Sequence, residues 1–186
     1  HDPERRTLLK RRWSTKAWII CQCRFKGRRR EVMGRNGSSG GAGWTELFFL
    51  DEVTALAAGH RPCFHCRRKE AQAFARAFAA ERDRHPMMPA PAMDAVLHRE
   101  RRASGGPVVN LPPKSPDTLP DGTMVEVEGR VYALREGALL AWSFYGYGSP
   151  DPVPDVEAGV ALITPPSTVD ALRRGYRPAW HPSACS

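Results

Sequence analysis

The 186-residue chain has no apolar run of membrane length and no signal-peptide pattern. Both gaps argue against a helical membrane anchor and for the cytoplasm. Cysteine is sparse: there are five, an odd number, and four fall in two close pairs, Cys21/Cys23 and Cys63/Cys66. Cys21 and Cys23 are too close for an ordinary bridge, so reduced thiols and a metal fit better than a secreted disulfide scaffold. No Gly-x-Ser-x-Gly or His-Glu-x-x-His occurs, which removes the nucleophile elbow and the helical zinc-protease motif. Glycine crowds into Gly34–Gly43 (GRNGSSGGAG), but at neither Walker nor dinucleotide spacing. That segment is either a flexible loop or a cradle whose amides face an anion. The first residue is His1 rather than methionine, so an upstream segment is expected to have been lost or processed.

Charge is abundant and lopsided. The formal net charge is +8, yet residues 1–70 hold 16 Lys and Arg against 7 Asp and Glu, and residues 105–186 hold 6 against 9. A basic first third suits a polyanion, with nucleic acid foremost; the plain alternative is a solvated basic face. The cations in question are Arg24, Lys26, Arg28, Arg29, Arg30, Arg35, Arg61, Arg67 and Arg68.

Patterning predicts an α+β fold. Ala17–Phe25 (AWIICQCRF) reads as a buried strand and Arg28–Met33 as a charged partner across an arginine-rich turn. Phe48–Ala58 (FFLDEVTALAA) reads as an aromatic strand and then an alanine-rich helical turn. Gly59 stops that helix and Pro62 prevents its return. Helices are predicted over Arg67–Arg84 and Met93–Arg102, with a proline-rich break at His85–Met93. Ser104–Asp121 reads as linker. Short strands follow at Thr123–Glu128, Arg130–Arg135, Leu139–Phe144 and Val160–Thr164, with Tyr145–Val156 as loop. A last helix runs through Arg174 with Ser167 as its cap. The expected domains are a basic zinc-knuckle unit with its following helix over 1–84, a helical and proline-rich linker over 85–121, and a small antiparallel β domain with a C-terminal helix over 122–186.

One stretch occurs twice. Val53–His65 (VTALAAGHRPCFH) and Val169–His181 (VDALRRGYRPAWH) agree at Val, Ala, Leu, Gly, Arg, Pro and His. Each reads as a helix, a glycine stop and an Arg-Pro turn. Duplication and coincidence in an alanine- and arginine-rich sequence are both open. The second copy has no cysteine at the Cys63 position but keeps its histidine, and Cys185 lies nearby.

The most specific motif is the C-x-x-C of Gly59–Glu70 (GHRPCFHCRRKE), which can aim two thiolates at one ion. A closed tetrahedral zinc site needs two more ligands. Cys21 and Cys23 are candidates, although C-x-C on a strand sends its sulfurs to opposite faces, so at most one is expected to ligate; the alternative for either is a buried core cysteine. His60 and His65 are near enough to assist, and His181 with Cys185 becomes available if the tail folds back. Zinc suits this set better than an iron–sulfur cluster.

The run FFLDEVTALAAGHRPCFHC (Phe48–Cys66) resembles the second half of the Ada-type metal-binding domain: an aromatic strand, an alanine-rich helix, an A-x-G-x-R-P-C turn and C-x-x-C. The resemblance implies zinc on Cys63 and Cys66 and contact with DNA phosphates. In that family an upstream cysteine pair completes the site, and one cysteine of the pair can accept a methyl group from DNA. Here the upstream pair is C-x-C rather than C-x-x-x-C. The whole chain also resembles uncharacterised bacterial proteins that carry a GHRPC-type knuckle and a TPPSTV–GYRP tail.

Three further groupings stand out. Asp94 and His98 are four apart on a predicted helix, as an acid–histidine dyad or an exposed ion pair. Trp142, Phe144, Tyr145 and Tyr147 are bases' stacking partners, a pocket lining, or core plus one exposed ring. Glu126 and Glu128 belong to a solvated sheet face. The expected function is zinc-dependent nucleic-acid binding, with DNA favoured, through Arg24–Arg35 and Arg67–Lys69. The alternatives are a metal-dependent nuclease or phosphoesterase using His98, and a structural zinc fold that binds a protein partner.

Overall fold

The structure, a computed structural model, describes residues 1–8, 14–27, 31–79, 86–102, 108–109, 119–151 and 160–185. It is α+β, with a two-stranded parallel sheet and a six-stranded antiparallel one. The small sheet pairs β1 (Ile19–Ile20) with β2 (Arg61–Pro62). Helix α1 (Glu52–Ala57) precedes β2, and α2 (Arg68–Phe78) and α3 (Ala90–Arg102) follow it. The large sheet is ordered β3-β8-β4-β5-β6-β7, from β3 (Val108–Val109), β4 (Met124–Val127), β5 (Arg130–Arg135), β6 (Ala138–Ser143), β7 (Gly146–Asp151) and β8 (Val160–Leu162). Helix α4 (Pro166–Arg173) and a 3-10 turn (Pro182–Cys185) end the chain.

Alternation along the strands gives the sheet two apolar faces. Val125, Val127, Leu134, Leu139, Val160 and Leu162 line one, under Val169 of α4. Met124, Ala133, Leu140 and Tyr147 line the other, under Val53 and Ala57 of α1 and Ala184 of the tail. A third cluster joins Leu56, Phe74, Phe78, Met93, Leu97, Leu172 and Tyr176, and so takes side chains from all four helices. The β4–β5 and β5–β6 turns are Glu128–Gly129 and Glu136–Gly137, each pair with φ positive at both residues, the twist that two-residue hairpins favour.

Several sequence expectations change. The strand over Ala17–Phe25 contracts to Ile19–Ile20 and pairs with β2, not with an arginine-rich partner: Arg28, Arg29 and Arg30 lie outside the described residues, and 31–33 form no strand. No strand forms at Phe48–Leu50 either; Phe48 is exposed. Conversely, Gly146–Asp151, expected as loop, is β7, paired antiparallel with β6 across a register shift between Leu140 and Trp142. Ser167 is not a cap. Pro165 occupies that position without a side-chain bond. Ser167 lies inside the first turn, where its N–H and hydroxyl both donate to Glu100 of α3. Within the 85–121 linker, residues 86–102 are described and hold α3, whereas most of Ser104–Asp121 lies outside the described residues.

Part of the glycine-rich loop's backbone is satisfied within the loop and the residues just before it. Gly34, Asn36, Gly37 and Gly40 each donate their N–H to a carbonyl of residues 31–41. Those amides are therefore committed, which counts against the anion-cradle reading.

The repeated stretch adopts the same local structure twice. In the first copy the Ala58, Gly59 and His60 N–H groups reach the Thr54, Leu56 and Ala55 carbonyls at 3.0, 2.8 and 3.0 Å. In the second, Arg174, Gly175 and Tyr176 reach Asp170, Leu172 and Ala171 at 3.0, 3.0 and 3.1 Å. Both are glycine-terminated helix ends, with φ +77° at Gly59 and +97° at Gly175.

Candidate metal centre

Three cysteines converge. The sulfurs of Cys21, Cys63 and Cys66 all lie within 4.8 Å of one another. The convergence follows from the small parallel sheet. Arg61 N–H donates to the Trp18 carbonyl at 3.0 Å and Cys63 N–H to Ile20 at 3.1 Å, which sets Cys21 beside the knuckle. Pro62 can sit between them because its missing N–H is not needed by the ladder. The knuckle itself is closed by Arg67 N–H on the Cys63 carbonyl at 3.0 Å, which leads directly into α2.

Backbone amides point at two of the sulfurs: Gln22 N–H at Cys66 Sγ, 3.3 Å, and His65 N–H at Cys63 Sγ, 3.4 Å. Burial pushes the Cys63 thiol up, but N–H bonds from Cys66 and His65 outweigh it and leave the group below the ordinary thiol range. Burial and the neighbouring Cys63 and Cys66 sulfurs push Cys21 up to about 12. Burial, with Cys63 beside it, also raises Cys66. Three sulfurs so close repel one another's thiolates, and a bound cation removes that repulsion. The donor set is entirely thiol, as soft metal ions prefer. The group is thus able to hold a metal ion.

Among the described residues Cys23 is not part of the group, nor are His60, His65, His181 or Cys185. Cys23 is exposed two residues beyond Cys21. His65 is exposed, its ring edge-on to Phe25 at 5.1 Å. The tail does fold back, but elsewhere: His181 N–H donates to Asp51 at 3.1 Å, and Cys185 Sγ meets Arg135 at 3.2 Å. His60 is buried between Trp18 and Phe49, at ring distances of 5.0 and 4.7 Å. Desolvation, with Arg101 nearby, lowers its pKa to about 4, so it is neutral at pH 7.

The predicted basic residues divide into two groups. Arg24 and Lys26 are exposed beside Cys23, and Arg68 and Lys69 are exposed at the start of α2. Arg61 is different. It is 6% exposed and makes a two-pronged ion pair with Asp94, Nε–Oδ1 2.8 Å and Nη2–Oδ2 2.9 Å. Arg61 therefore has no face for a phosphate, and both oxygens of Asp94 accept from its guanidinium; His98 stands on the same helix, α3. Arg67 is turned inward onto Glu52 at 2.8 Å. Arg35 pairs with Glu4 and the Gly40 carbonyl.

Two features escaped the sequence reading. Arg101 of α3 lies over the Trp18 ring at 4.2 Å and donates to the Gly59 and Lys16 carbonyls, clamping β1 and the knuckle together. Glu52 is buried and accepts from Tyr176 Oη at 2.7 Å, Arg67 at 2.8 Å and Ala179 N–H at 2.9 Å. The aromatic cluster splits: Tyr147 is buried with its hydroxyl on Asp51 at 2.9 Å, whereas Phe144 and Tyr145 stand exposed at the β6–β7 turn.

No protein-family model, curated protein or solved structure matches the chain. No helix among the described residues is long and apolar enough to cross a membrane.

Proposed function

We propose that the protein binds zinc through Cys21, Cys63 and Cys66 and, in that form, binds nucleic acid, DNA foremost, by its phosphate backbone. The observation that carries the metal half is the three-sulfur convergence within 4.8 Å. Zinc is the natural ion for thiolate ligands at this spacing, and the resemblance of Phe48–Cys66 to an Ada-type half-site agrees with it. Bound zinc would tie β1 to the knuckle and hold three thiolates at neutral pH. The fourth position falls to Cys23, if the segment after β1 moves, or to solvent.

The nucleic-acid half rests on the cations around the site. Arg24, Lys26, Arg68 and Lys69 are exposed. Arg68 and Lys69 occupy the first turn of α2, where positive charge opposes the helix dipole and so costs stability. A bound polyanion would compensate that cost. The nuclease alternative has no observation that favours it over this reading.

Metal analysis of the purified protein tests the first half. About one zinc per chain is expected, lost in Cys63→Ser and kept in Cys23→Ser if solvent completes the site. Absence of stoichiometric metal in the wild type would overturn it. Oligonucleotide titration across salt tests the second half: binding should weaken steeply as salt rises, and a flat response would remove the phosphate-backbone reading.

A further inference from the structure

A second basic feature lies away from the cysteines. The ends of α2 and α4 enclose an open groove of about 600 Å³, lined by Lys69, Arg76, Arg174 and Arg177 with Glu70 as the sole acid. Ala73 supplies a short side chain to its wall. Among the described residues none of the four cations has a carboxylate within ion-pair distance. The neighbouring Arg173, by contrast, is paired with Asp170 at 2.8 Å.

Two of the guanidinium groups are held in place without being neutralised. Arg174 Nη1 donates to the Ala77 carbonyl at 3.1 Å, bridging α4 to α2. Arg177 Nη1 donates to the Leu172 and Tyr176 carbonyls at 3.3 and 3.2 Å. The repeat sharpens the point. Arg177 occupies in the second copy the position that Arg61 occupies in the first. Arg61 is buried on Asp94, whereas Arg177 is exposed in the groove with carbonyl partners alone. The same turn thus presents a structural arginine in one copy and an available one in the other.

We infer that this α2–α4 groove is a phosphate-binding site, and that it seats the backbone of the nucleic acid to which the proposed function assigns the protein. The nucleic-acid part rests on that reading; the phosphate part does not. Four like charges round one groove, two of them held in place, repel one another until an anion occupies it. Being open, the groove suits a linear polyanion better than an enclosed small molecule. Lys69 and Arg76 share one face of α2, about 10 Å apart along its axis, or about three nucleotides of single-strand rise. Lys69, at the groove's end of the first turn of α2, follows Arg68 directly in sequence.

The test is fluorescence anisotropy of a labelled single-stranded DNA 20-mer with the zinc-loaded full chain, and competition by inorganic tripolyphosphate. Arg174→Ala/Arg177→Ala and, separately, Lys69→Ala/Arg76→Ala should each weaken binding about tenfold or more and flatten its salt dependence. All four residues are chosen for their lack of carboxylate partners, and an unchanged melting temperature checks folding. Arg24→Ala/Lys26→Ala should have the smaller effect. Tripolyphosphate should displace the DNA. If both groove pairs bind like wild type while Arg24→Ala/Lys26→Ala loses binding, the groove inference is overturned and the nucleic-acid reading stands. If the wild type binds tripolyphosphate through Arg174 and Arg177 but no oligonucleotide, the phosphate site stands and its nucleic-acid occupant is overturned. Binding of neither by folded protein overturns both.

Discussion

Arg61 shows how one side chain can decide the use of its neighbours. Both its ends are specified: the main chain pairs with Trp18 and the guanidinium grips Asp94. Removing one member of a buried pair strands the other charge, at a cost of about 3–5 kcal/mol. Asp94→Ala is therefore expected to lower the urea midpoint strongly, and the Arg61→Met/Asp94→Leu double variant to recover much of the loss. An Asp94→Ala protein as stable as wild type would contradict the buried pair. His60, three residues from Cys63, makes a pH prediction. Its pKa in the fold, about 4, is below the ordinary 6.5, so the unfolded chain takes the proton first. Its contribution is complete above about pH 6.5 and lost as pH falls toward about 4. The groups facing it are the Trp18 and Phe49 rings and the Arg101 guanidinium, whose charge acts in the same direction. Between about pH 7 and pH 5 the wild type should lose roughly 2 kcal/mol that a His60→Gln variant does not lose. Equal slopes in parallel denaturant titrations, which cancel any shared metal release, would refute this.

Among the elements, α1 is the most economical. Its six residues are too few to be stable alone, so both ends are fastened. Asp51 accepts Thr54 N–H at 2.9 Å in a capping box, and Gly59 closes the other end. The two glycine stops allow a paired experiment. A Cβ on Gly175 meets nothing within 4 Å, whereas one on Gly59 meets Arg101 Cγ at 2.6 Å and Cδ at 2.7 Å. Both positions need positive φ, worth about 1 kcal/mol against alanine. Gly175→Ala should cost about that much. Gly59→Ala should cost more, because Arg101 must leave both Trp18 and the Gly59 carbonyl. Equal melting-temperature losses would show that the Arg101 clamp contributes little. The stops were readable in the sequence because glycine before Arg-Pro states its own backbone demand. Strands β4 to β6 were readable for a similar reason: alternating apolar residues between Glu-Gly turns specify local hairpins. Strand β7 was not. GYGSPD has turn composition, and its state is decided by the β6 edge and by Ser183, which accepts Tyr147 N–H at 2.9 Å. At the metal site, Cys63 and Cys66 announce themselves by spacing. The choice of Cys21 over Cys23 depends on β1 lying parallel to β2, a long-range pairing that no local pattern encodes.

At the scale of the whole molecule, the basic first third and the acidic last part are joined through their cores. Helix α1 contributes Leu56 to the helical cluster and Val53 and Ala57 to the sheet. Glu52 holds Arg67 from before α2 and Tyr176 and Ala179 from the tail. An element shared by two cores cannot leave one without exposing apolar surface in the other, so unfolding should be a single cooperative event. A metal ion bound to the cysteine group would fit the same scheme. A ligand that binds only the native chain stabilises all of it by mass action, although Cys21, Cys63 and Cys66 touch only β1 and the knuckle. A chelator should therefore lower one common midpoint, not melt the knuckle ahead of the sheet. Two single-tryptophan reporters read the two regions, one keeping Trp18 beside His60 and the other Trp180 beside Tyr147. With metal their urea transitions should coincide, and with chelator they should coincide again at lower urea. A knuckle signal that melts first while the Trp180 signal holds would show that Glu52 and α1 do not couple the halves. Glu52→Ala is the variant expected to produce that separation, since it leaves Arg67 and Tyr176 without their shared acceptor.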